Sequence, residues 1–117
     1  YSDDAIADEY EPYDAEEYGD DCYWVVVEGK SMEPDFYTGD KVLVKKDIQP
    51  SPGDFVIALA DGKKEVTFKK YRPRGFDSQG REYVELVPSN PDFPIIDSRH
   101  MPFTICGVAL ERKQKLR

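Results

Sequence analysis

Residues 54–71, DFVIALADGKKEVTFKKY, contain two β-rich runs that are separated by a tight turn. The run 54–60 is apolar enough for a buried strand, and the run 64–71 alternates between apolar and polar side chains. The dipeptide Asp61-Gly62 lies between them, and Asp-Gly is among the strongest short-range signals for a hairpin turn. The stretch therefore predicts an antiparallel β-hairpin.

Further short β-rich runs lie on both sides of this hairpin, with glycine- and proline-containing turns between them. Beyond a short turn at 33–38, none of the sequence shows the 3.6-residue period of a helix. The additional runs are 23–28, 41–46, 82–87 and 103–110. This pattern predicts an all-β domain that is partly closed or clip-like.

The charge of the chain is concentrated in its first segment. Residues 1–21 contain ten acidic and no basic residues, whereas residues 22–117 contain fourteen acidic and sixteen basic residues. A segment with so few aliphatic side chains buries too little apolar area to offset its ordering entropy, so we expect a flexible arm at 1–21. The side chains that could lie against the body of the domain, residues 22–117, are Tyr10, Tyr13 and Tyr18. The near-neutral body has no basic stripe, so direct DNA binding is not expected.

Two cysteines, Cys22 and Cys106, are far apart and have no metal-ligand spacing. We expect reduced, partly buried thiols rather than a disulfide, and neither a metal site nor a cofactor. The chain has no apolar run of membrane-spanning length and no secretory signal. These features predict a cytoplasmic protein without a membrane partner.

Ser31 follows the first predicted strand, within residues 27–36, VEGKSMEPDF. A serine at a strand-to-loop corner is usually a turn residue or a cap, and a catalytic role requires a base. His100 is the only histidine, and its polar loop predicts an exposed side chain. A catalytic Cys/His pair is a weaker candidate still. Both cysteines adjoin or occupy apolar strands, whereas a reactive thiolate needs an electropositive, partly open setting.

Lysine is the alternative base. Burial disfavours the ammonium form, and the neutral amine that results can accept a serine proton. Along the second strand of the hairpin, alternation places Thr67 and Lys69 on one face and Lys70 on the other. Both lysines could instead be charges that guard a strand edge against aggregation. Composition alone favours that second interpretation.

Six segments, in order, carry a resemblance to a known family: GKSMEP, GDKVLV, PGDFVIA, EVTFKKY, LVPSNPDFPII and FTICGVAL. Together they resemble the C-terminal domain of LexA-type and lambdoid phage CI repressors, which are self-cleaving Ser-Lys peptidases related to UmuD and to signal peptidases. The resemblance spans about residues 23–110 and implies a LexA-like fold for a self-cleavage and dimerisation domain at 22–117.

The resemblance also implies roles for individual residues. Ser31 would be the nucleophile, and Lys69 rather than Lys70 the general base. The backbone N–H of Ser31, with that of Met32 as a second candidate, would stabilise the oxyanion. Met32 and Pro34 would shape the corner. The implied substrate is an Ala-Gly or Cys-Gly bond in the repressor's own interdomain linker, and a RecA filament would stimulate its cleavage during the SOS response.

Neither Ala-Gly nor Cys-Gly occurs before Ser31. We therefore expect a piece of a longer repressor, either the cleaved product or a chain cut in the linker, with operator DNA bound through an N-terminal domain outside it. Two alternatives remain: a UmuD-like polymerase accessory, and a module that only dimerises. Strand 103–110 is a candidate for the dimer surface, although a plain core strand explains it equally well. The connection at 72–82 and the segment 88–91 look nearer to phage repressors, and a signal peptidase would need a membrane anchor.

Overall fold

The computed structural model describes residues 5–8 and 12–114 of the chain. Within these residues, eight strands and one short helical turn are present. They are β1 (Ala5–Asp8), α1 (Ala15–Tyr18), β2 (Cys22–Val27), β3 (Lys41–Lys46), β4 (Phe55–Ala60), β5 (Val66–Phe76), β6 (Glu82–Val87), β7 (Ile96–Asp97) and β8 (Phe103–Lys113). All the strands belong to one antiparallel sheet in the order β1-β2-β3-β8-β4-β5-β6-β7. The prediction of an all-β domain is confirmed.

The hairpin predicted at 54–71 forms as β4 and β5. The two strands pair antiparallel, with Phe55 opposite Lys70 and Leu59 opposite Val66. Strands β5 and β8 are longer than predicted and extend to Phe76 and Lys113. The two-residue strand β7 was not predicted, because a run this short carries no periodic signal.

The sheet is strongly curled. Strand β1 is five positions from β5 in the sheet order, yet their Cα atoms approach to within 8 Å. Register shifts occur in three strand pairs: at Leu43/Val44 in β3 against β8, at Ile57/Ala58 in β4 against β8, and at Pro73/Gly75 in β5 against β6. Such irregularities increase local twist and bend a sheet. The result is a strongly curved sheet in which the end strands β1 and β7 do not pair with each other, so the sheet is not a closed barrel. This curvature fits the predicted clip-like shape.

The curled sheet buries an apolar cluster on each of its faces. The larger cluster contains Val25, Val27, Met32, Phe36, Val42, Val44, Ile57 and Phe68. The smaller cluster contains Val56, Ala58, Leu86 and Val108. Because side chains alternate along a strand, Phe68 of β5 enters the larger cluster and its two neighbours face the other side.

In the segment 1–21, for which a flexible arm is predicted, the described residues contain strand β1 and the turn α1. Strand β1 pairs with β2, from Ala5 opposite Val27 to Asp8 opposite Trp24. The indole Nε1 of Trp24 also donates a hydrogen bond to the Pro12 carbonyl at 3.0 Å.

Polar contacts anchor the rest of this segment. The Tyr13 hydroxyl donates to the Gly19 carbonyl at 3.0 Å, and the Tyr18 hydroxyl donates to the Glu111 carboxylate. This bond raises the pKa of Tyr18 to about 12. Composition did not indicate these contacts, because tyrosine hydroxyls and backbone groups make them rather than aliphatic side chains. Tyr10 lies outside the described residues.

Candidate active site

Ser31 lies at a corner that begins directly after β2. Gly29 adopts a positive φ of 81°, a conformation that glycine accepts without steric cost and that turns the chain. Residues 31–36 then form a turn in which the Phe36 N–H donates to the Met32 carbonyl at 2.8 Å. The Met32 side chain is 1% exposed, so it anchors the corner in the larger apolar cluster. The turn predicted at 33–38 is therefore present, beginning two residues earlier.

The structure brings Lys69 to Ser31, although 38 residues separate them along the chain. The distance from Lys69 Nζ to Ser31 Oγ is 3.1 Å. The two residues are 4% and 2% exposed, respectively. Lys69 is opposite Val56 in the β4–β5 register and shares its side of the sheet, which is the side of the smaller apolar cluster. A buried amine and a buried hydroxyl thus lie within hydrogen-bonding distance.

A third polar side chain, Thr67, completes this group. Lys69 Nζ donates a hydrogen bond to Thr67 Oγ1 at 2.6 Å, and Thr67 is 6% exposed. Alternation along the strand predicted that Thr67 shares a face with Lys69 but indicated no role for it. Two-residue spacing on a strand was the available signal, because it puts two side chains side by side.

A loop between β6 and β7 holds the main chain of the serine corner. The backbone N–H of Asn90 donates to the Ser31 carbonyl at 2.9 Å. The Asn90 side-chain Nδ2 donates to the Lys30 carbonyl at 3.0 Å, and its Oδ1 accepts from the Asp92 N–H at 3.0 Å. Nothing in the sequence indicated this contact, since 60 residues separate Asn90 from Lys30.

The rejected candidates lie elsewhere. Lys70 is exposed, with its Nζ 5.7 Å from the centroid of the Phe55 ring on the opposite face of β5. His100 is exposed in the loop before β8, as predicted. Cys22 and Cys106 are free thiols of intermediate burial, also as predicted. Burial raises the pKa of the Cys106 thiol, which lowers its thiolate fraction.

The described residues contain neither a metal-binding cluster nor a membrane-spanning helix. No group of three or more His, Cys, Asp and Glu side chains among them could hold a metal ion. None of the helices in this part of the chain is long and apolar enough to cross a membrane.

The amino-acid sequence of the chain matches a known family of peptidase domains. The family model described as Peptidase S24-like matches residues 1–110. Because the match covers most of the sequence, the chain belongs to the Peptidase S24-like family. The match includes the segment 1–21, which the resemblance from motifs had left outside.

Curated relatives of the chain are repressors. It is 33% identical over 82 residues to Repressor protein C2 of Salmonella phage P22, covering 67% of this chain and 35% of the relative. It is 35% identical over 99 residues to the LexA repressor of Thermotoga maritima, covering 84% of this chain and 46% of the relative. It is 34% identical over 108 residues to the LexA repressor of Corynebacterium glutamicum, covering 91% of this chain and 43% of the relative. The chain therefore spans less than half the length of these relatives and is similar to a repressor-type S24 domain.

Proposed function

We propose that the chain is the self-cleavage and self-association domain of a repressor, with Ser31 as nucleophile and Lys69 as general base. The observation that carries the proposal is the 3.1 Å separation of Lys69 Nζ and Ser31 Oγ, with both residues buried. This distance is within the range required of a general base and the proton it removes. Membership of a serine peptidase family supports the same assignment.

The charge of Lys69 decides whether the pair can react. Burial in an apolar setting disfavours the ammonium form, and only the neutral amine has a lone pair to accept a proton. Lys69 would take the proton of Ser31 as Oγ attacks the carbonyl carbon of the scissile peptide bond. The backbone N–H groups of Ser31 and Met32 would stabilise the resulting oxyanion. The Lys69 ammonium would then protonate the leaving amine, and water would hydrolyse the acyl-serine ester.

Thr67 has a place in this scheme as a positioning residue. Its hydroxyl oxygen accepts from Lys69 Nζ at 2.6 Å, so one proton of the amine is directed away from Ser31. The tetrahedral nitrogen then presents its lone pair in a restricted set of directions. This restriction would favour a conformation in which the lone pair of Lys69 Nζ points at Ser31 Oγ.

The test is cleavage of a longer product of the same gene, which carries upstream residues and a candidate Ala-Gly or Cys-Gly bond. Cleavage should accelerate from pH 6 to pH 10 as the amine loses its proton. Ser31→Ala and Lys69→Met should each slow cleavage by roughly 100-fold or more, the scale of general-base catalysis. Lys70→Met is the matched control, since this lysine is adjacent but exposed on the other face. Cleavage by Ser31→Ala or Lys69→Met at the parent rate would contradict the proposal.

The biological setting belongs to the same proposal. The substrate would be the repressor's own linker, and a RecA filament on single-stranded DNA would stimulate cleavage in the bacterial cytoplasm. Operator DNA would be bound through a separate domain of the longer protein. If a RecA filament left the cleavage rate of the longer chain unchanged, this setting would be wrong. A UmuD-like polymerase accessory is the alternative that such a result would favour.

Self-association is the second proposed activity, and the geometry of β8 supports it. Strand β4 pairs with β8 from Phe103 to Val108, whereas β3 pairs with it as far as Lys113. The far end of β8 therefore extends past its pairing with β4. Leu110, in this extension, is 40% exposed. An extended strand edge with an apolar side chain is suited to pairing with a second copy.

Sedimentation over a concentration series tests this activity. The parent should form dimers as its concentration rises through the micromolar range, and Leu110→Arg should shift the equilibrium toward monomer. Ile95→Arg is the matched control, because Ile95 is 48% exposed and precedes β7, which is four positions from β8 in the sheet order. A parent that stays monomeric at high micromolar concentration would exclude self-association of this domain.

A further inference from the structure

We infer that Asn90 is a positioning residue that sets the direction of the two oxyanion-stabilising N–H groups. The inference rests on the proposed function, because it assigns a role in the same reaction. It begins from two bonds: Asn90 donates its backbone N–H to the Ser31 carbonyl and its side-chain Nδ2 to the Lys30 carbonyl.

Peptide planarity transmits these bonds to the N–H groups. In a trans peptide, the C=O and the N–H of one plane point in opposite directions. The Lys30 carbonyl shares its plane with the Ser31 N–H, and the Ser31 carbonyl shares its plane with the Met32 N–H. By holding both carbonyls toward its own loop, Asn90 turns both N–H groups away from that loop.

The loop is itself well suited to hold this position. Asn90 precedes Pro91, and a residue before proline is restricted to extended conformations. Its Oδ1 accepts from the Asp92 N–H at 3.0 Å, and its carbonyl accepts from the Phe93 N–H at 3.1 Å. These bonds fix the side-chain amide, so that Nδ2 has one direction in which to donate. Preorganised donors of this kind need no reorganisation when the oxyanion forms.

The Lys30 carbonyl also accepts from the Glu33 N–H at 3.2 Å. Loss of the Asn90 side chain would therefore loosen the Lys30–Ser31 plane without releasing it. The Ser31–Met32 plane would keep its bond from the Asn90 backbone. Asn90→Ala should consequently affect the Ser31 N–H more than the Met32 N–H. Complete loss of an oxyanion donor typically costs 100- to 1000-fold in rate, so a misdirected donor should cost about tenfold.

The experiment combines amide NMR of the present chain with cleavage of the longer chain. In Asn90→Ala, the amide ¹H and ¹⁵N shifts of Ser31 should move more than those of Met32, and cleavage should slow about tenfold. Asn90→Asp keeps the Oδ1 acceptor that holds the turn but lacks the Nδ2 donor, so it should fold and show both changes. Ser98→Ala is the matched control, because the Ser98 hydroxyl also bonds a backbone group, the Val84 N–H, at 3.0 Å.

The two readouts separate this inference from the proposed function. An unmoved Ser31 amide, or a cleavage rate equal to that of Ser98→Ala, would overturn the role of Asn90. If Ser31→Ala cleaved like the parent, the proposed function would fail, and the amide shifts would still decide whether Asn90 directs the Ser31 N–H.

Discussion

Replacing Thr67 by valine removes one hydroxyl from the centre of the candidate site and changes little else. Valine has nearly the same shape and suits a β-strand. The substitution deletes the acceptor that lies 2.6 Å from Lys69 Nζ, and it does so at a position that is 6% exposed. An effect that the matched control lacks therefore reports on the loss of the Thr67 hydroxyl.

The magnitude follows from the lost bond. Removing one partner of a buried hydrogen bond costs about 1–3 kcal/mol. Burying a methyl group in place of the hydroxyl returns about 0.8 kcal/mol. We expect a net loss of roughly 1 kcal/mol in the free energy of unfolding. A similar loss of alignment in the transition state corresponds to roughly a fivefold to tenfold slower cleavage, since about 1.4 kcal/mol is a factor of ten.

Urea unfolding of the present chain and cleavage of the longer chain measure the two effects. Thr104→Val is the matched control, because it makes the same chemical change at an exposed position of β8. The Thr67 variant should lose both stability and rate relative to this control. If both variants unfolded at the same urea concentration and cleaved at the same rate, Thr67 would have no positioning role.

Two further predictions concern packing and thiol chemistry. A Cβ atom at Gly107 would lie 2.4 Å from Val44 Cγ1, so Gly107→Ala should lower the free energy of unfolding by about 1–3 kcal/mol; an unchanged urea midpoint would contradict this packing. The raised pKa of Cys106 means a smaller thiolate fraction in the folded chain at pH 8, so iodoacetamide should alkylate it more slowly than after unfolding in urea. Peptide mapping by mass spectrometry measures the two rates, and equal rates would refute the prediction.

Most strands could be predicted from the sequence, because alternation and turn signals involve residues that are close together along the chain. The Asp-Gly turn and the flanking runs predicted the β4–β5 hairpin, and the pairing of Phe55 with Lys70 confirms it. Strand β1 and the turn α1 were missed, because their acidic composition predicts a chain without a core of its own. Their placement against the sheet involves contacts such as the one between Trp24 and Pro12, which no local pattern contains.

The candidate site was predictable only in part. Alternation separated Lys69 from Lys70, but the choice of Lys69 as the base came from the resemblance. The proximity of Ser31 and Lys69 depends on the curl of the whole sheet, which sequence periodicity does not specify. The face of Thr67 was predicted, but its contact with Lys69 was not. The contacts of Asn90 could not be predicted, because its partners are far away in sequence.

The charge state of Lys69 in the folded chain is the most direct test of the proposed chemistry. Selective ¹⁵N labelling of lysine, with Lys69→Met to assign the resonance, allows the Lys69 Nζ signal to be followed by NMR at pH 7.5. The proposal predicts that Lys69 has a substantial population of neutral amine at this pH. A fully charged Lys69 ammonium at pH 7.5 that stays charged to pH 10 would contradict a serine–lysine peptidase mechanism for this fold.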